Sequence, residues 1–88
     1  MANKELEKIL KALANRRRVA ILKFIKKSGS ASVGEIAESI KLSFKATSKH
    51  LIILGNADIL EKEQISLTML YSISKIPHPL VSKLLSTL

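Results

Sequence analysis

Leu6, Ile9, Leu10 and Leu13 follow one another at spacings of three and four. This spacing predicts one apolar stripe on an amphipathic helix over residues 3–13. Asn15 reads as the N-cap of a second helix, because its side-chain oxygen can accept from the free N–H groups of the next turn. That helix runs to about Lys27, with Val19, Ile21, Leu22 and Ile25 on its buried side. Lys23, Lys26 and Lys27 lie away from that side or near the C-terminus, where positive charge suits the helix dipole. Ser28-Gly29-Ser30 ends the helix, and Gly29 fits a left-handed cap.

Ser32-Val33-Gly34-Glu35 is a capping box ahead of Ile36, Ala37 and Ile40. It predicts a short third helix over residues 32–40. Lys41-Leu42-Ser43 forms a turn, and Ser43 caps a fourth helix that runs to about Gly55. The inner face of this helix carries Thr47, Leu51 and Leu54, with Ala46 and His50 at the margins. Two short helices joined by so short a turn make a helix-turn-helix unit. Ile59-Leu60 and Met69-Leu70-Tyr71-Ser72-Ile73 are β-prone and partly alternating. Residues Glu63 to Leu67 supply the bend of a hairpin between them. After Pro77 and Pro79, the residues Leu80, Val81, Leu84, Leu85 and Leu88 predict a last apolar helix of about ten residues. The expected fold is mainly helical, α+β, in the order α-α-α-α-β-β-α, a single domain over residues 1–88.

Composition narrows this picture. A chain of 88 residues buries only roughly 60% of its unfolded surface, so association with a second copy is a natural source of extra stability. Phe24, Phe44 and Tyr71 are the only aromatic residues, so the core has to be aliphatic. There is no cysteine, which removes disulfides, thiolate metal sites and thiol redox sensing. No secretory signal is visible, and the longest aliphatic runs, such as Leu51-Ile52-Ile53-Leu54, are far short of the roughly 20 residues a membrane span needs. The expected location is cytoplasmic. The net charge is +8, and it sits wholly in residues 1–49, which hold twelve Lys/Arg against four Glu. That asymmetry suggests a polyanionic partner, either nucleic acid or an anionic membrane surface.

Leu10-Lys11-Ala12-Leu13-Ala14-Asn15-Arg16-Arg17-Arg18-Val19-Ala20-Ile21-Leu22 resembles the N-terminal signature of ArsR-type winged helix-turn-helix regulators. Ser32-Val33-Gly34-Glu35-Ile36-Ala37 is similar to the family's S-V-x-E-L-A. Leu42-Ser43, with Ser48-Lys49-His50-Leu51 and Leu54, is similar to its recognition-helix pattern, and Ala57-Asp58-Ile59-Leu60 fits its A-G-L-V. The resemblance covers residues 6–74. It implies a homodimeric transcriptional regulator, a repressor, that binds double-stranded DNA with helix 43–55 in the major groove. It also implies a structural role for Arg18.

A helix fits the major groove, about 12 Å wide, with its N-terminal residues toward the base edges. Phe44, Lys45, Ser48 and Lys49 lie opposite the inner face and are candidate contacts, with Ser43 at the helix start and Lys41 in the turn. Lysine can reach guanine acceptors or phosphates, and serine either base edges or phosphates. Phe44 can contact a thymine methyl or fold back over the third helix. Three arginines at a helix start oppose its dipole, so Arg16 and Arg17 are candidates for phosphate contact, or else form a solvated basic turn. His50 reads as a packed structural residue, and His78 starts the last helix.

The wing departs from the family pattern. Glu61-Lys62-Glu63-Gln64-Ile65-Ser66-Leu67 is acidic to neutral and has no Gly, so the recognition helix and second helix carry the expected DNA contact. Asp58 stands where the family has Gly, at a position where Asp tolerates left-handed backbone. Leu6, Ile9, Leu10 and Leu13 at one end, with Leu80, Leu84, Leu85 and Leu88 at the other, form the expected dimer interface; the alternative is that both stripes close the monomer core. With scattered acids and no Cys or His cluster, no metal, cofactor or catalytic site is expected, and nothing identifies a small-molecule effector. The rival reading is a winged-helix module that binds protein and has lost DNA binding.

Overall fold

The computed structural model describes residues 3–88. Helices α1 (Lys4–Leu13) and α2 (Arg16–Ser28) are followed by strand β1 (Ser30–Ser32), then α3 (Val33–Ile40) and α4 (Phe44–Asn56). Strands β2 (Leu60–Ile65) and β3 (Thr68–Ile73) and helix α5 (Pro79–Leu85) complete the chain. This is a winged helix-turn-helix fold, mostly helical with a β-hairpin wing.

Local chemistry sets each helix start. Asn15 Oδ1 accepts from Arg17 N at 2.9 Å and from Arg18 N at 3.1 Å, satisfying two N–H groups that the first turn of α2 cannot pair. In α3 the capping box is closed from both sides: Glu35 N donates to Ser32 Oγ at 3.2 Å, and Ser32 N donates to Glu35 Oε1 at 2.9 Å. Ser43 Oγ accepts from Ala46 N at 3.1 Å and starts α4. His78 starts α5 as its cap, accepting from Leu80 N through Nδ1 at 3.0 Å. Helix α2 stops at Gly29, whose φ of 86° lies where side-chain-bearing residues strain.

The expected order lacks one element. Residues Ser30–Ser32 form a third strand, giving a sheet of order β1-β3-β2 with β3 in the middle and both pairings antiparallel. Ser-Ala-Ser has little β propensity. Its pairing comes from the docking of Ala31, which is buried, opposite Tyr71. The wing turn is also tighter than the expected bend over 63–67. Ile65 pairs with Thr68, leaving Ser66 and Leu67 as a two-residue turn with Ser66 at φ 59°. Tight hairpin turns of this length need positive φ to match the strand twist. Helix α5 spans seven residues and gives way to a turn at Ser86 and Thr87.

The core is aliphatic. Ile21, Leu22 and Ile25 of α2 lie at its centre, against Ile36 of α3, Leu51 and Leu54 of α4, Ile59, and Val81 of α5. Ile9 belongs to this core, at 2% exposure, and so is not on the outer stripe of α1. Leu10, at 49%, is on that stripe. Among the described residues one core group is unsatisfied: Thr47 is fully buried and its hydroxyl has no hydrogen-bond partner. An unpaired buried hydroxyl costs about 1–3 kcal/mol, and valine keeps the shape without it. Thr47→Val is therefore expected to raise stability by about 1 kcal/mol, a shift of roughly 4–8 °C in thermal midpoint. Circular dichroism at fixed protein concentration checks this, and a lowered midpoint would mean that the hydroxyl is paired.

Candidate nucleic-acid interface

Helix α4 stands with its inner side sealed and its outer side open. Thr47, Leu51 and Leu54 are buried, while Ser43, Lys45 and Lys49 are exposed and Ser48 is half-buried. Among the described residues, the one ion pair joins Lys11 to Glu7 at 3.6 Å, so the ammonium groups of Lys45 and Lys49 are unpaired. Ser43 spends one acceptor on the cap and keeps its hydroxyl proton to donate outward. Phe44 is not packed away against α3. It is 63% exposed and lines a shallow apolar groove with Val33 of α3 and with Leu67 and Met69 of the wing.

The turn before α4 is strained. Lys41 caps α3 in the left-handed conformation, at φ 56° and ψ 50°, donating its N–H to the α3 carbonyls of Ala37 and Glu38. A residue with a Cβ costs about 1–2 kcal/mol there relative to glycine. Its side chain is exposed. Asp58 takes the left-handed conformation expected of it, at φ 57°, and turns the chain from α4 into the wing. Arg16 is exposed and Arg17 half-buried at the start of α2, and both line one groove with Lys41.

Arg18 is separate from this basic group. Its Nε donates to Ala12 O at 2.6 Å and its Nη2 to Lys11 O at 3.2 Å, both carbonyls of the last turn of α1. Its Nη1 lies 3.1 Å from His50 Nδ1 on α4. One guanidinium thus links α1, α2 and α4, which is a structural role. Arginine only donates, so His50 Nδ1 accepts and the ring carries its proton on Nε2. Burial, then the charges of Arg18 and Arg17, hold the His50 pKa below its ordinary value of 6.5. The unfolded chain therefore takes up a proton first. The stability contributed by neutral His50 is fully present above about pH 6.5 and is lost as pH falls below that toward the lowered folded value. The wild-type thermal midpoint is expected to fall more between about pH 7 and pH 5 than that of His50→Gln. Parallel profiles for the two proteins would remove His50 from the account.

The wing carries little positive charge. Lys62 is its one cation, with Glu61 and Glu63 beside it. Its tip is apolar, with Ile65 at 52% and Leu67 at 96% exposure. Leu10 and Leu13 of α1 face Leu80 and Leu84 of α5 across an apolar groove of about 270 Å³. Leu6 of α1, Leu85 of α5 and Leu88 beyond the end of α5 are half-buried. Among the described residues, no three His, Cys, Asp or Glu gather into a possible metal site, and no helix is long and apolar enough to cross a membrane.

Two groupings were not assembled by sequence reasoning, the pairing of Arg18 with His50 and the basic groove along α2. Arg18 and His50 meet across 32 positions of chain, which no local pattern records. The basic groove along α2 did leave a trace, since Arg16, Ala20, Lys23 and Lys27 recur at helical spacing on one face.

A helix pair joined by a three-residue turn, with an open second helix and a hairpin beside it, defines the winged helix-turn-helix class of DNA-binding domains. The chain belongs to the ArsR family of bacterial regulatory proteins, whose pattern matches residues 15–62. Solved structures agree. NolR from Sinorhizobium fredii is 30% identical, with a TM-score of 0.81 over 96% of this chain and 80% of that one. HlyU from Vibrio cholerae is 28% identical, with a TM-score of 0.81 over 96% of this chain and 87% of that one. The homodimeric winged helix-turn-helix DNA-binding domain of Mb0332 from Mycobacterium bovis is 25% identical, with a TM-score of 0.82 over 96% of this chain and 74% of that one. Comparison with curated proteins gives no match. The family and fold are those of transcriptional regulators that bind double-stranded DNA, not of enzymes.

Proposed function

We propose that residues 1–88 act as one DNA-binding domain, a homodimeric repressor that lays α4 in the major groove of its operator. The observation that carries this reading is the open outer side of α4, with Lys45 and Lys49 exposed and unpaired on a helix whose other side is locked into the core. Phe44 and Ser48 on the helix and Ser43 at its N-terminal end are candidate base or backbone contacts, and Lys41, Arg16 and Arg17 flank it as candidate phosphate contacts. Phe44, being exposed, is available to a thymine methyl. The family is bacterial by its description, and the compartment that holds bacterial DNA is the cytoplasm. Neither a cofactor nor a catalytic step belongs to this reading. Selection of bound sites from a random duplex library tests it, with Lys45→Ala and Lys49→Ala measured on the selected site. Unaltered binding in both variants would remove α4 as the reading helix.

The dimer is proposed at the α1–α5 groove, through Leu6, Leu10 and Leu13 with Leu80, Leu84, Leu85 and Leu88. Support comes from the exposure of Leu10 and from the homodimeric Mb0332 domain of the same fold. A two-fold axis there would set two α4 helices about one DNA turn, roughly 34–36 Å, apart on a pseudo-palindrome. A glutamate at Leu84 would place two unpaired charges in the closed interface, which is strongly unfavourable. Leu84→Glu is expected to sediment as a monomer at concentrations where the wild type is a dimer. A variant that stays dimeric would move the interface elsewhere.

One observation favours a second reading. Phe44 of α4 exposes apolar surface beside Leu67 at the tip of the wing, whose first strand is acidic. A protein partner with an apolar ridge would fit this face. Capture of a stoichiometric partner, with no duplex retained at physiological salt, would favour it over DNA.

A further inference from the structure

We infer that the groove between α2 and the C-terminal end of α3 is a binding site for a small organic anion with an apolar body, and that such an anion competes with DNA. The competition rests on the DNA reading above; the binding itself does not.

The groove measures about 590 Å³, inside the range of roughly 300–1,000 Å³ typical of small-molecule sites. Five cationic side chains line it, Arg16, Arg17, Lys23, Lys27 and Lys41, and no acidic one does. Among the described residues, none of the five head groups has an ion-pair or hydrogen-bond partner within the chain. Other lysines do find partners: Lys26 donates to Leu85 O at 2.6 Å and Lys8 to Asn56 O at 3.3 Å. Five unneutralised charges around one concavity raise the local concentration of anions. The floor is apolar, made by Ala20, Phe24 and Ile40, each half-buried with surface left to the groove.

That floor separates this site from a phosphate clamp. A DNA phosphate needs cations and hydrogen-bond donors, and gains nothing from a phenyl ring and an isoleucine beneath it. An anion that carries a ring or a short hydrocarbon body uses both parts, the body covering the floor and the charge meeting the rim. Lys41, one of these five cations, also sits in a costly backbone conformation. The position is left-handed, where glycine would be cheaper, and the lysine side chain closes the α3 end of the rim. Arg16, Arg17 and Lys41 are also the flanking cations of the proposed DNA interface. An occupied groove engages them and withdraws them from phosphate.

Three probes separate charge from apolar body. Anilinonaphthalenesulfonate carries both, phenylnaphthylamine carries the same rings without the sulfonate, and inorganic phosphate carries charge alone. Titrated into nitrogen-15-labelled protein, the sulfonate is expected to shift the amide resonances around Ala20, Phe24, Lys27 and Ile40. The other two probes are expected to bind at least about tenfold more weakly. Lys23→Gln/Lys27→Gln removes two rim charges outside the proposed DNA contacts and is expected to weaken the sulfonate about tenfold. Its circular dichroism and thermal midpoint should match the wild type. In duplex-binding assays the sulfonate should displace the wild type at lower concentration than the double variant. Shifts confined to the Leu10–Leu84 groove, equal binding of phosphate, or an unchanged double variant would each overturn the site. A protein that binds the sulfonate here but no duplex would overturn the DNA reading alone.

Discussion

Lys45→Ala and Lys49→Ala should each weaken binding to the selected duplex by about 1–3 kcal/mol if the lysine meets a base, roughly tenfold to a hundredfold in affinity. The two possible roles of a lysine on α4 leave different signatures. A base contact relaxes preference at one position of the site, because a guanine O6 or N7 loses its donor. A phosphate contact weakens all sequences about equally and lowers the salt slope by about one. Wild-type affinity itself should fall by the order of 10³ between 50 and 200 mM salt, for about six phosphate contacts across a dimer. The charge distribution makes this the natural outcome: residues 1–49 carry twelve cations against four acids, while the remainder is balanced. A flat salt dependence would point instead to the apolar face of Phe44 and Leu67 and to a protein partner.

The parts of the structure that the sequence made legible are those where local chemistry decides the outcome. Asn15, Ser32 with Glu35, and Ser43 are caps because their side chains reach backbone groups two or three residues away. The apolar spacing of α4 likewise chose its buried face, Thr47, Leu51 and Leu54, and that of α2 chose Ile21, Leu22 and Ile25, while Val19, expected on the same side, is only half-buried. Strand β1 was not legible, since Ser30–Ser32 becomes a strand only because β3 offers it an edge. Ile9 shows the same limit in a helix. Leu6, Ile9, Leu10 and Leu13 share one apolar stripe, but only the arrival of the rest of the fold separates buried Ile9 from exposed Leu10. The stripe was therefore both core and outer surface, and periodicity alone could not divide it. At the candidate interface, the open side of α4 was legible from burial pattern and charge. The exposure of Phe44 was not, because it depends on where the wing tip stands relative to α3.

Arg18 is where a single substitution should cost the fold most outside the aliphatic core. Arg18→Ala removes three contacts at once, to Ala12 O, Lys11 O and His50 Nδ1. The two carbonyls close the last turn of α1, where the helix has no N–H of its own to offer and where a positive charge is favoured. Hydrogen bonds from a charged donor contribute about 1.5–3 kcal/mol, but the site is only half-buried and water can replace part of the loss. The expected cost is about 2–3 kcal/mol, a large share of a stability of roughly 5–15 kcal/mol, and a fall of about 10–20 °C in thermal midpoint. Arg18→Lys should restore little, since one ammonium cannot reproduce a planar fork aimed at separate acceptors. His50→Gln, which disturbs one of the three contacts, should cost less than Arg18→Ala. This ordering matters for function, because α1 belongs to the proposed dimer seam and α4 to the proposed reading surface. The guanidinium ties the two together, so its loss should loosen the alignment of paired α4 helices before the chain unfolds. An Arg18→Ala protein with a wild-type midpoint would show that the α1–α4 link is carried by apolar packing alone.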